Sequence, residues 1–485
     1  MNYRIVFNLI GKVLLVEAAL LLLPLVTSLV YAEYMGAASF AITFAVALGL
    51  GLPLTFFLKP RQQALYAKEG MIVTALAWIM MSLVGALPFV ISREIPSFID
   101  ALFEIVSGFT TTGASILNDV ECLSHGILFW RSFSHWIGGM GVLVFLLAVV
   151  NRNNRSMHIL RAEMPGPSVD KLVPKAKNTA LFLYAIYVVM TVVLAIMLWC
   201  GDMNFFEAIV HAFGTAGTGG FGITNSSLGA YSSYSQWVIT VFMLLFGINF
   251  NLYFLLVLGK FTSFFRNREF WVYVGVVIVS VGIITANIYS LYGNFATALK
   301  HSSFQVASIM STTGYSTADF DQWPTISKGI LFILMMIGGC AGSTSGGFKL
   351  TRVIILFKKI GNDLKRTLHP RTATVVKING EKVSDETISG VTSYLAIYVL
   401  IFLAVFLILM LDPYVPADHA LETNLTASAS AFNNIGPGFA AIGPTCNFSF
   451  YSPVSKIVLI FAMLLGRLEI YPIILALNPT TWIKK

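Results

Sequence analysis

The stretch that decides the fold is Ser311-Thr312-Thr313-Gly314-Tyr315-Ser316, a short polar turn between two apolar segments. Three other turns align with it without gaps. The four turns read Thr111-Thr112-Gly113-Ala114-Ser115, Thr218-Gly219-Gly220-Phe221-Gly222, Thr312-Thr313-Gly314-Tyr315-Ser316 and Asn434-Ile435-Gly436-Pro437-Gly438. One glycine is common to all four. A single turn of this kind is common in loops and is weak evidence for a function, whereas its occurrence four times is informative.

The composition around these turns excludes a water-soluble protein. Of the 485 residues, 56% are hydrophobic and 11% are charged, and the mean hydropathy is +0.79. Ten apolar segments have the length of membrane-spanning helices, near residues 13–31, 37–58, 71–92, 127–150, 180–200, 236–259, 270–291, 326–360, 393–411 and 453–477. The first is followed at once by the second, which favours a retained hairpin over a signal peptide. We therefore predict an all-α polytopic membrane protein.

After an N-terminal two-helix hairpin, residues 1–69, one unit occurs four times. Each unit has a span, a short apolar segment, a glycine turn and a second span. The predicted repeats 1 to 4 cover residues 70–177, 178–269, 270–391 and 392–485, with short segments near 97–109, 203–214, 295–310 and 418–432. These short segments cannot cross a bilayer and are predicted to be re-entrant pore helices. They contain similar pairs, Phe103-Glu104, Phe206-Glu207, Phe304-Gln305 and Leu421-Glu422.

Lysine and arginine positions predict the orientation. With a cytoplasmic N-terminus, the inner loops and tail carry Lys59, Arg61, Lys68, Arg152, Arg155, Arg161, Lys171, Lys175, Lys177, Lys260, Arg266, Arg268, Lys358, Lys359, Lys365, Arg366, Arg371, Lys377, Lys382, Lys484 and Lys485. The outer side carries only Arg93 and Lys300 in loops, with Arg131, Lys328 and Lys456 near span ends. The positive-inside rule therefore predicts that both termini are cytoplasmic, and it explains the net charge of +8 without a nucleic-acid partner.

The predicted outer loops are rich in acidic residues: Glu94, Asp119, Glu121, Asp202, Asp319, Asp321 and Asp418. Such charges would concentrate cations at an outer mouth. Solvated loop charge explains any single one of them equally well.

The four turns predict an ion filter made of backbone carbonyl oxygens. Non-helical backbone at membrane depth must be buried in protein or face water, and a pseudo-fourfold arrangement of the repeats around an axis supplies that water. Glycine allows the chain to turn its carbonyl groups inward. The predicted filter residues are Thr111, Thr112, Gly113, Thr218, Gly219, Gly220, Thr312, Thr313, Gly314, Asn434, Ile435 and Gly436.

In this combination of features, nearly the whole chain resembles the Trk/Ktr/HKT superfamily of potassium transporters, and specifically TrkH-type bacterial uptake proteins. The resemblance implies potassium as the bound and transported ion, with no cofactor in this chain. A serine at the first filter glycine is associated with sodium transport in some plant members, whereas all four positions here are glycine. Ala114-Ser115 and Pro437-Gly438 are irregular, so we expect fewer complete carbonyl rings and looser discrimination against sodium.

The second span of repeat 3 contains an unbroken run of small residues, 338–347, here called the gate segment. A continuous helix is not expected there, so we predict an unwound segment below the filter. The resemblance implies that this segment is a gate, with the residues Gly338, Gly339, Gly342, Ser343, Thr344, Ser345, Gly346 and Gly347. In repeats 1 and 2, the glycines Gly138, Gly139 and Gly247 are predicted to serve close helix packing.

Arg467 lies in the second span of repeat 4, where a guanidinium must face protein or water. A pair with Glu469 is disfavoured, because residues two apart on a helix do not face each other. The resemblance implies that Arg467 lies in the pore under the filter. Our hypothesis is that it lowers cation occupancy while the gate is closed.

The resemblance also implies membrane lipid, a homodimer with one pore per subunit, and a cytosolic ring of nucleotide-binding regulatory (RCK) subunits. The basic loop 358–391 is a candidate docking surface. Proton- or sodium-coupled symport by the same fold stays open as an alternative, although His135 and His211 are interpreted as packing or hydrogen-bonding residues rather than proton relays.

An enzyme is not expected, because no convincing cluster of histidine, cysteine or carboxylate shares a helix face. The GxGxxG pattern at 217–222 has no preceding strand, and in the stretch 342–349 Phe348 separates Gly347 from Lys349, so neither predicts nucleotide binding.

Overall fold

The computed structural model describes residues 1–58, 66–141, 176–372 and 374–482. Its secondary structure is almost entirely helical, which confirms the predicted all-α class. The strands in the described ranges are Lys377–Ile378 and Glu381–Lys382, which pair antiparallel with Lys377 opposite Lys382. Part of the predicted charge pattern lies outside the described residues, namely Lys59, Arg61, Arg152, Arg155, Arg161, Lys171, Lys175, Lys484, Lys485 and the side chain of Lys177.

The N-terminal hairpin consists of the helices Tyr3–Val30 and Tyr34–Phe56, joined by a short turn. Glu33 in this turn accepts hydrogen bonds from the backbone N–H groups of His125 at 2.7 Å and Gly126 at 3.0 Å. These are the first residues of the second helix of repeat 1, so a carboxylate fixes the hairpin to a helix N-terminus, where negative charge is stabilised.

Each repeat follows the predicted order of a long helix, a short helix, a turn and a second helix. The long helices are Ala67–Gly85 with Leu87–Ile91, Ala176–Trp199, Arg268–Tyr292 and Asp385–Leu409. The short helices are Phe98–Phe109, Phe205–Gly217, Phe295–Met310 and Ala420–Asn433. The second helices are His125–Met140, Ser233–Phe246 with Phe250–Val257, Thr325–Ile337 with Leu350–Leu368, and Pro453–Arg467 with Tyr471–Leu477. Minor elements are the helices Phe261–Phe265 and Pro479–Trp482 and the 3₁₀ turns Phe320–Gln322, Ala417–His419 and Ala440–Ile442.

Three of the four short helices begin at a polar side chain that caps them, and Ala420–Asn433 begins without a side-chain cap. Ser97, Asn204 and Asn294 each accept a hydrogen bond from a backbone N–H in the first turn of their helix. A side-chain oxygen at this position satisfies a donor that the helix itself leaves unpaired. These three helices therefore have defined starts, and each of the four short helices ends at a glycine turn.

The second spans predicted for repeats 2, 3 and 4 are interrupted rather than continuous helices, and residues 142–150 of the span predicted for repeat 1 lie outside the described residues. Among the described residues, six helices are long and apolar enough to cross a membrane, and the bent pair Ser233–Phe246 and Phe250–Val257 would make a seventh. That pair bends by 91°, and the repeat 3 and repeat 4 counterparts break after Ile337 and Arg467. Breaks inside a bundle are tolerated because neighbouring repeats bond the freed backbone groups. The Cys340 N–H, for example, donates to the Gly247 carbonyl oxygen at 3.0 Å.

The long helices cover the outside of the molecule. Their outward faces carry exposed apolar side chains such as Val189, Ile278 and Leu400. Exposed apolar surface of this kind suits a lipid environment, since a helix satisfies its own backbone hydrogen bonds there. The short helices are mostly buried inside this layer, so the four turns lie in the interior of the bundle.

Candidate functional site: a ring of four glycine turns

The four turns share one backbone pattern. Their first residues are left-handed, with φ of 56° at Thr111, 55° at Thr218, 58° at Thr312 and 56° at Asn434. The glycine two positions later also has a positive φ, 77° at Gly113, 79° at Gly220, 86° at Gly314 and 104° at Gly436. Left-handed backbone is uncommon for residues with a side chain. Its repetition at equivalent places shows that the four turns have the same conformation despite their different sequences.

The turns form a closed ring. A Cβ atom added to Gly113 would overlap the carbonyl oxygen of Gly219, and one added to Gly220 would overlap that of Thr313. The same holds for Gly314 against Ile435, and a Cβ on Gly436 would lie 2.8 Å from the carbonyl oxygen of Thr112. The contacts therefore run from repeat 1 to 2, 2 to 3, 3 to 4 and 4 back to 1. Only glycine permits this close backbone approach.

Each turn is fixed by the end of its short helix. The N–H of the residue before the ring glycine donates five residues back, from Thr112 to Ser107, Gly219 to Gly214, Thr313 to Ser308 and Ile435 to Ser430, over 2.8 to 3.0 Å. All four short helices thus direct their C-termini at the ring. Since a helix C-terminus carries partial negative charge, four of them favour a cation at the centre.

An ion pair supports the turn of repeat 1. Arg131 lies 2.7 Å from Glu104, and both side chains are almost fully buried. Glu104 also accepts hydrogen bonds from the Ser115 hydroxyl and the Ile116 N–H, both just beyond the turn. Arg131 donates to the Gly222 carbonyl oxygen, which joins repeats 1 and 2. A buried ion pair with several additional hydrogen bonds can fix the positions of the groups that it contacts.

The similar pairs of repeats 1 and 3 lie at equivalent positions before their turns, whereas those of repeats 2 and 4 do not. Glu104 is eight residues before Thr112, whereas Glu207 is twelve before Gly219. Glu207 instead accepts from the Asn204 N–H and so caps its own helix. The number of residues between each glutamate and its turn, which the sequence shows, would have distinguished the role of Glu104 from that of Glu207.

His135 and Tyr315 link neighbouring turns. His135 Nδ1 donates to the Gly108 carbonyl oxygen at 2.8 Å, and its Nε2 accepts from the Phe221 N–H at 3.2 Å. Both ring nitrogens are thus used in a neutral imidazole, as expected for a hydrogen-bonding histidine. The Tyr315 hydroxyl donates to the Phe221 carbonyl oxygen at 3.2 Å. The sequence placed Tyr315 in the turn of repeat 3 and favoured a packing or hydrogen-bonding role for His135, but it did not predict the partners of either side chain.

The gate segment is non-helical and lies against the turn of repeat 3. The preceding helix ends at Gly338 with φ of 72°. The Gly346 N–H donates to the Thr312 hydroxyl at 2.6 Å, and the Gly342 carbonyl oxygen accepts from the Phe250 N–H at 3.0 Å. Apart from the half-buried Gly342 and Gly347, the segment is buried. Backbone groups of Gly342 and Gly346 therefore bond to repeat 2 and to the ring rather than within a helix.

Arg467 joins three repeats on the same side of the ring. It donates to the carbonyl oxygens of Thr344 at 2.8 Å, Gly138 at 2.6 Å and Gly139 at 2.9 Å. Glu469 pairs instead with Arg352, at 2.7 Å. The expectation that Arg467 does not pair with Glu469 agrees with this geometry.

The opposite side of the ring opens into a vestibule with a cavity volume of about 160 Å³, lined by the ring glycines and the loops that follow them. Asn225 donates to Asp119 Oδ1 at 2.8 Å beside this opening. This hydrogen bond, with one from the Glu121 N–H, lowers the pKa of the Asp119 carboxyl below its ordinary value. Asp119 therefore keeps a negative charge near the mouth. Two other outer acids, Glu94 and Asp202, hold loop N–H groups.

Comparison with known proteins agrees with this architecture. Residues 37–481 match the family model TrkH, described as a cation transport protein. The chain is 35% identical to the Trk system potassium uptake protein TrkH of Salmonella typhimurium, over 99% of this chain and 100% of the relative. It is 33% identical to the Trk system potassium uptake protein TrkG of Escherichia coli, over 99% of each.

A crystal structure of the potassium transporter TrkH from Vibrio parahaemolyticus superposes with a TM-score of 0.89, at 30% identity and with full coverage of both chains. These relatives are named for transport and not for an enzymatic reaction, as expected from the sequence. The resemblance stated from the four turns is thus confirmed, and the chain belongs to the TrkH family of cation transport proteins.

Proposed function

We propose that this chain takes up potassium ions through a single-chain pore, and that the ring of four turns is its selectivity filter. The observation that carries the proposal is the closed cycle of contacts between each ring glycine and a carbonyl oxygen of the next repeat. A ring of backbone carbonyl oxygens can replace the hydration shell of an alkali cation. The names of the relatives, potassium uptake proteins, support potassium as that cation.

The gate segment and Arg467 are proposed to close the pore below the filter. The segment touches the Thr312 hydroxyl, and Arg467 donates to its Thr344 carbonyl oxygen. A buried guanidinium beside the ion path repels cations, while its bond to Thr344 holds the segment in place. Opening would require both contacts to rearrange.

The filter is tested by reconstituting the chain in lipid vesicles and measuring potassium or rubidium uptake with Gly314→Ala. The added Cβ would overlap the Ile435 carbonyl oxygen, at a residue with φ of 86°. Because strain of this kind costs about 1–3 kcal/mol, we expect uptake to fall about tenfold or more. Gly282→Ala is the matched control, since no heavy atom lies within 4 Å of that added Cβ. Unchanged uptake and ion preference in Gly314→Ala would refute the filter.

Coupled symport is the alternative function, and the driving force of uptake separates it from a channel. Uptake driven by a potassium gradient alone favours a channel. A requirement for a proton or sodium gradient favours symport.

We further propose the assembly that the family resemblance implies: a homodimer in the inner membrane, with both termini cytoplasmic and a cytosolic ring of RCK subunits. The repeat boundaries 70–177, 178–269, 270–391 and 392–485, after the hairpin 1–69, are part of this proposal. The segment 358–391, predicted as a loop, is the proposed docking surface, because it combines Lys358, Lys359, Lys365 and Arg366, which lie in the helix Leu350–Leu368, with the strand pair. Native mass spectrometry of the purified chain tests the dimer.

A further inference from the structure

Glu269 lies in the first turn of the long helix of repeat 3, and its side chain is buried. Its Oε1 accepts a hydrogen bond from the Ala341 N–H at 2.8 Å and a second one from the Thr351 hydroxyl. Ala341 belongs to the first part of the gate segment, and Thr351 lies in the first turn of the helix that follows the segment. One carboxyl oxygen therefore binds both the gate segment, at Ala341, and the helix that follows it, at Thr351.

These contacts are not ordinary helix capping. In repeat 1, the acid of the first turn, Glu69, accepts from the N–H of Tyr66 and so caps its own helix. In repeat 3, the side chain of Asn267 caps the helix by accepting from the Phe270 N–H. Glu269 is thereby left to bond outside its helix, and both of the hydrogen-bond donors that it meets flank or belong to the gate segment.

We propose that Glu269 is a positioning residue for the gate: its carboxyl group holds the gate segment in its closed position, and loss of this tether releases it. The gating role of Glu269 rests on the proposed function. The tether itself can be measured without transport, because Cys340 lies next to Ala341 and is fully buried. Release of the segment should expose this thiol.

The experiment uses the full chain with Cys122→Ser, Cys200→Ser and Cys446→Ser, so that Cys340 is the sole remaining thiol. The rate of its modification by a small methanethiosulfonate reagent is measured in reconstituted vesicles. For Glu269→Ala we expect a rate about tenfold above the parent, because the substitution removes the carboxyl oxygen that accepts both hydrogen bonds of the tether. For Glu269→Gln we expect a rate within about threefold of the parent, since the amide oxygen still accepts both bonds.

Two further variants make the result specific. Thr351→Val removes one of the two donors and leaves Glu269 in place, so it should raise the rate even if Glu269→Ala does not fold. Glu94→Ala is the matched control, because Glu94 also accepts from one backbone N–H and one hydroxyl, both of Ser124. It lies away from the gate segment and should leave the rate unchanged.

Equal rates in the parent, Glu269→Ala and Thr351→Val would overturn the tether, and so would an equal rise in Glu94→Ala. Potassium uptake is measured in the same vesicles, where Glu269→Ala should also be faster than the parent. Faster labelling with unchanged uptake would overturn the gating role. Absence of uptake in the parent would instead refute the proposed function, while the labelling rates would still decide whether Glu269 holds the segment.

Discussion

Glu104 and Arg131 show how single side chains fix the glycine turn of repeat 1. Both are almost fully buried, and Glu104 contacts Ser115 and Ile116 as well as the guanidinium. The polarity of each residue is visible in the sequence, but a 27-residue separation hides the pairing. Only the packing of the short helix against the second helix brings the two side chains together.

The substitution Glu104→Gln should destabilise the protein, because Arg131 would keep a buried charge without its partner. Breaking one side of a buried pair costs about 3–5 kcal/mol. We expect a lower apparent melting temperature in detergent and a loss of preference for potassium over sodium. Glu121→Gln, in the exposed loop after the same turn, is the control and should change neither. A melting temperature equal to that of the parent would show that the ion pair does not stabilise the turn.

At the scale of elements, the second helices matter most, because their breaks place backbone carbonyl groups below the ring. Arg467 donates hydrogen bonds to three carbonyl oxygens, that of Thr344 in the gate segment and those of Gly138 and Gly139 at the end of a helix in repeat 1. A second contact, the pair of Arg352 with Glu469, joins the helix after the gate segment to the break in repeat 4. This arrangement is therefore held by contacts between elements of different repeats.

Replacing Arg467 with alanine should raise potassium or rubidium uptake in vesicles, by about tenfold, because the change removes a charge and its hydrogen bonds to the gate segment. Arg467→Lys separates the two causes: it keeps the charge but cannot reproduce the planar set of donors, so uptake should rise less. Arg266→Ala, at an exposed position before the long helix of repeat 3, is the control. Normal expression with unchanged uptake in Arg467→Ala would exclude Arg467 as a barrier.

At the scale of the whole molecule, the four repeats contact each other in chain order around the ring, and the N-terminal hairpin packs against repeat 1. All four short helices point their C-termini at one ring, which requires the four repeats to enter the membrane from the same side. This agrees with the even number of crossings predicted for each repeat. The side itself follows from the positive-inside rule and is open to a direct test.

Native cysteines provide that test. Cys122, Cys200 and Cys446 are exposed in loops on the vestibule side, whereas Cys340 is buried. In right-side-out vesicles, a membrane-impermeant maleimide should label the three exposed thiols. A cysteine introduced by Glu381→Cys, on a background without the other thiols, should react only after the membrane is permeabilised. Labelling of Glu381→Cys in intact vesicles would reverse the proposed orientation.

Much of the architecture was predictable because it depends on local properties of the chain. Segment length and apolarity predicted the long and short helices, and the common glycine predicted the turns. The run of small residues at 338–347 predicted the unwound gate segment. The number of uninterrupted long helices was not predictable, since the break near Gly247 is bonded by Cys340 and Thr344 of repeat 3, and the break after Arg467 is bonded by Arg352 of repeat 3 through Glu469.

The sequence by itself determined a helical membrane protein of four repeats, each with a glycine turn after a short helix. These features depend on the length of apolar segments and on the ability of glycine to adopt left-handed backbone, which are local properties of the chain. The tertiary structure alone decided the cyclic order of the ring, the pairing of Glu104 with Arg131, the carbonyl oxygens that Arg467 binds, and the contact of Glu269 with Ala341. Each of these joins residues far apart in the chain, so each depends on which helix faces pack together.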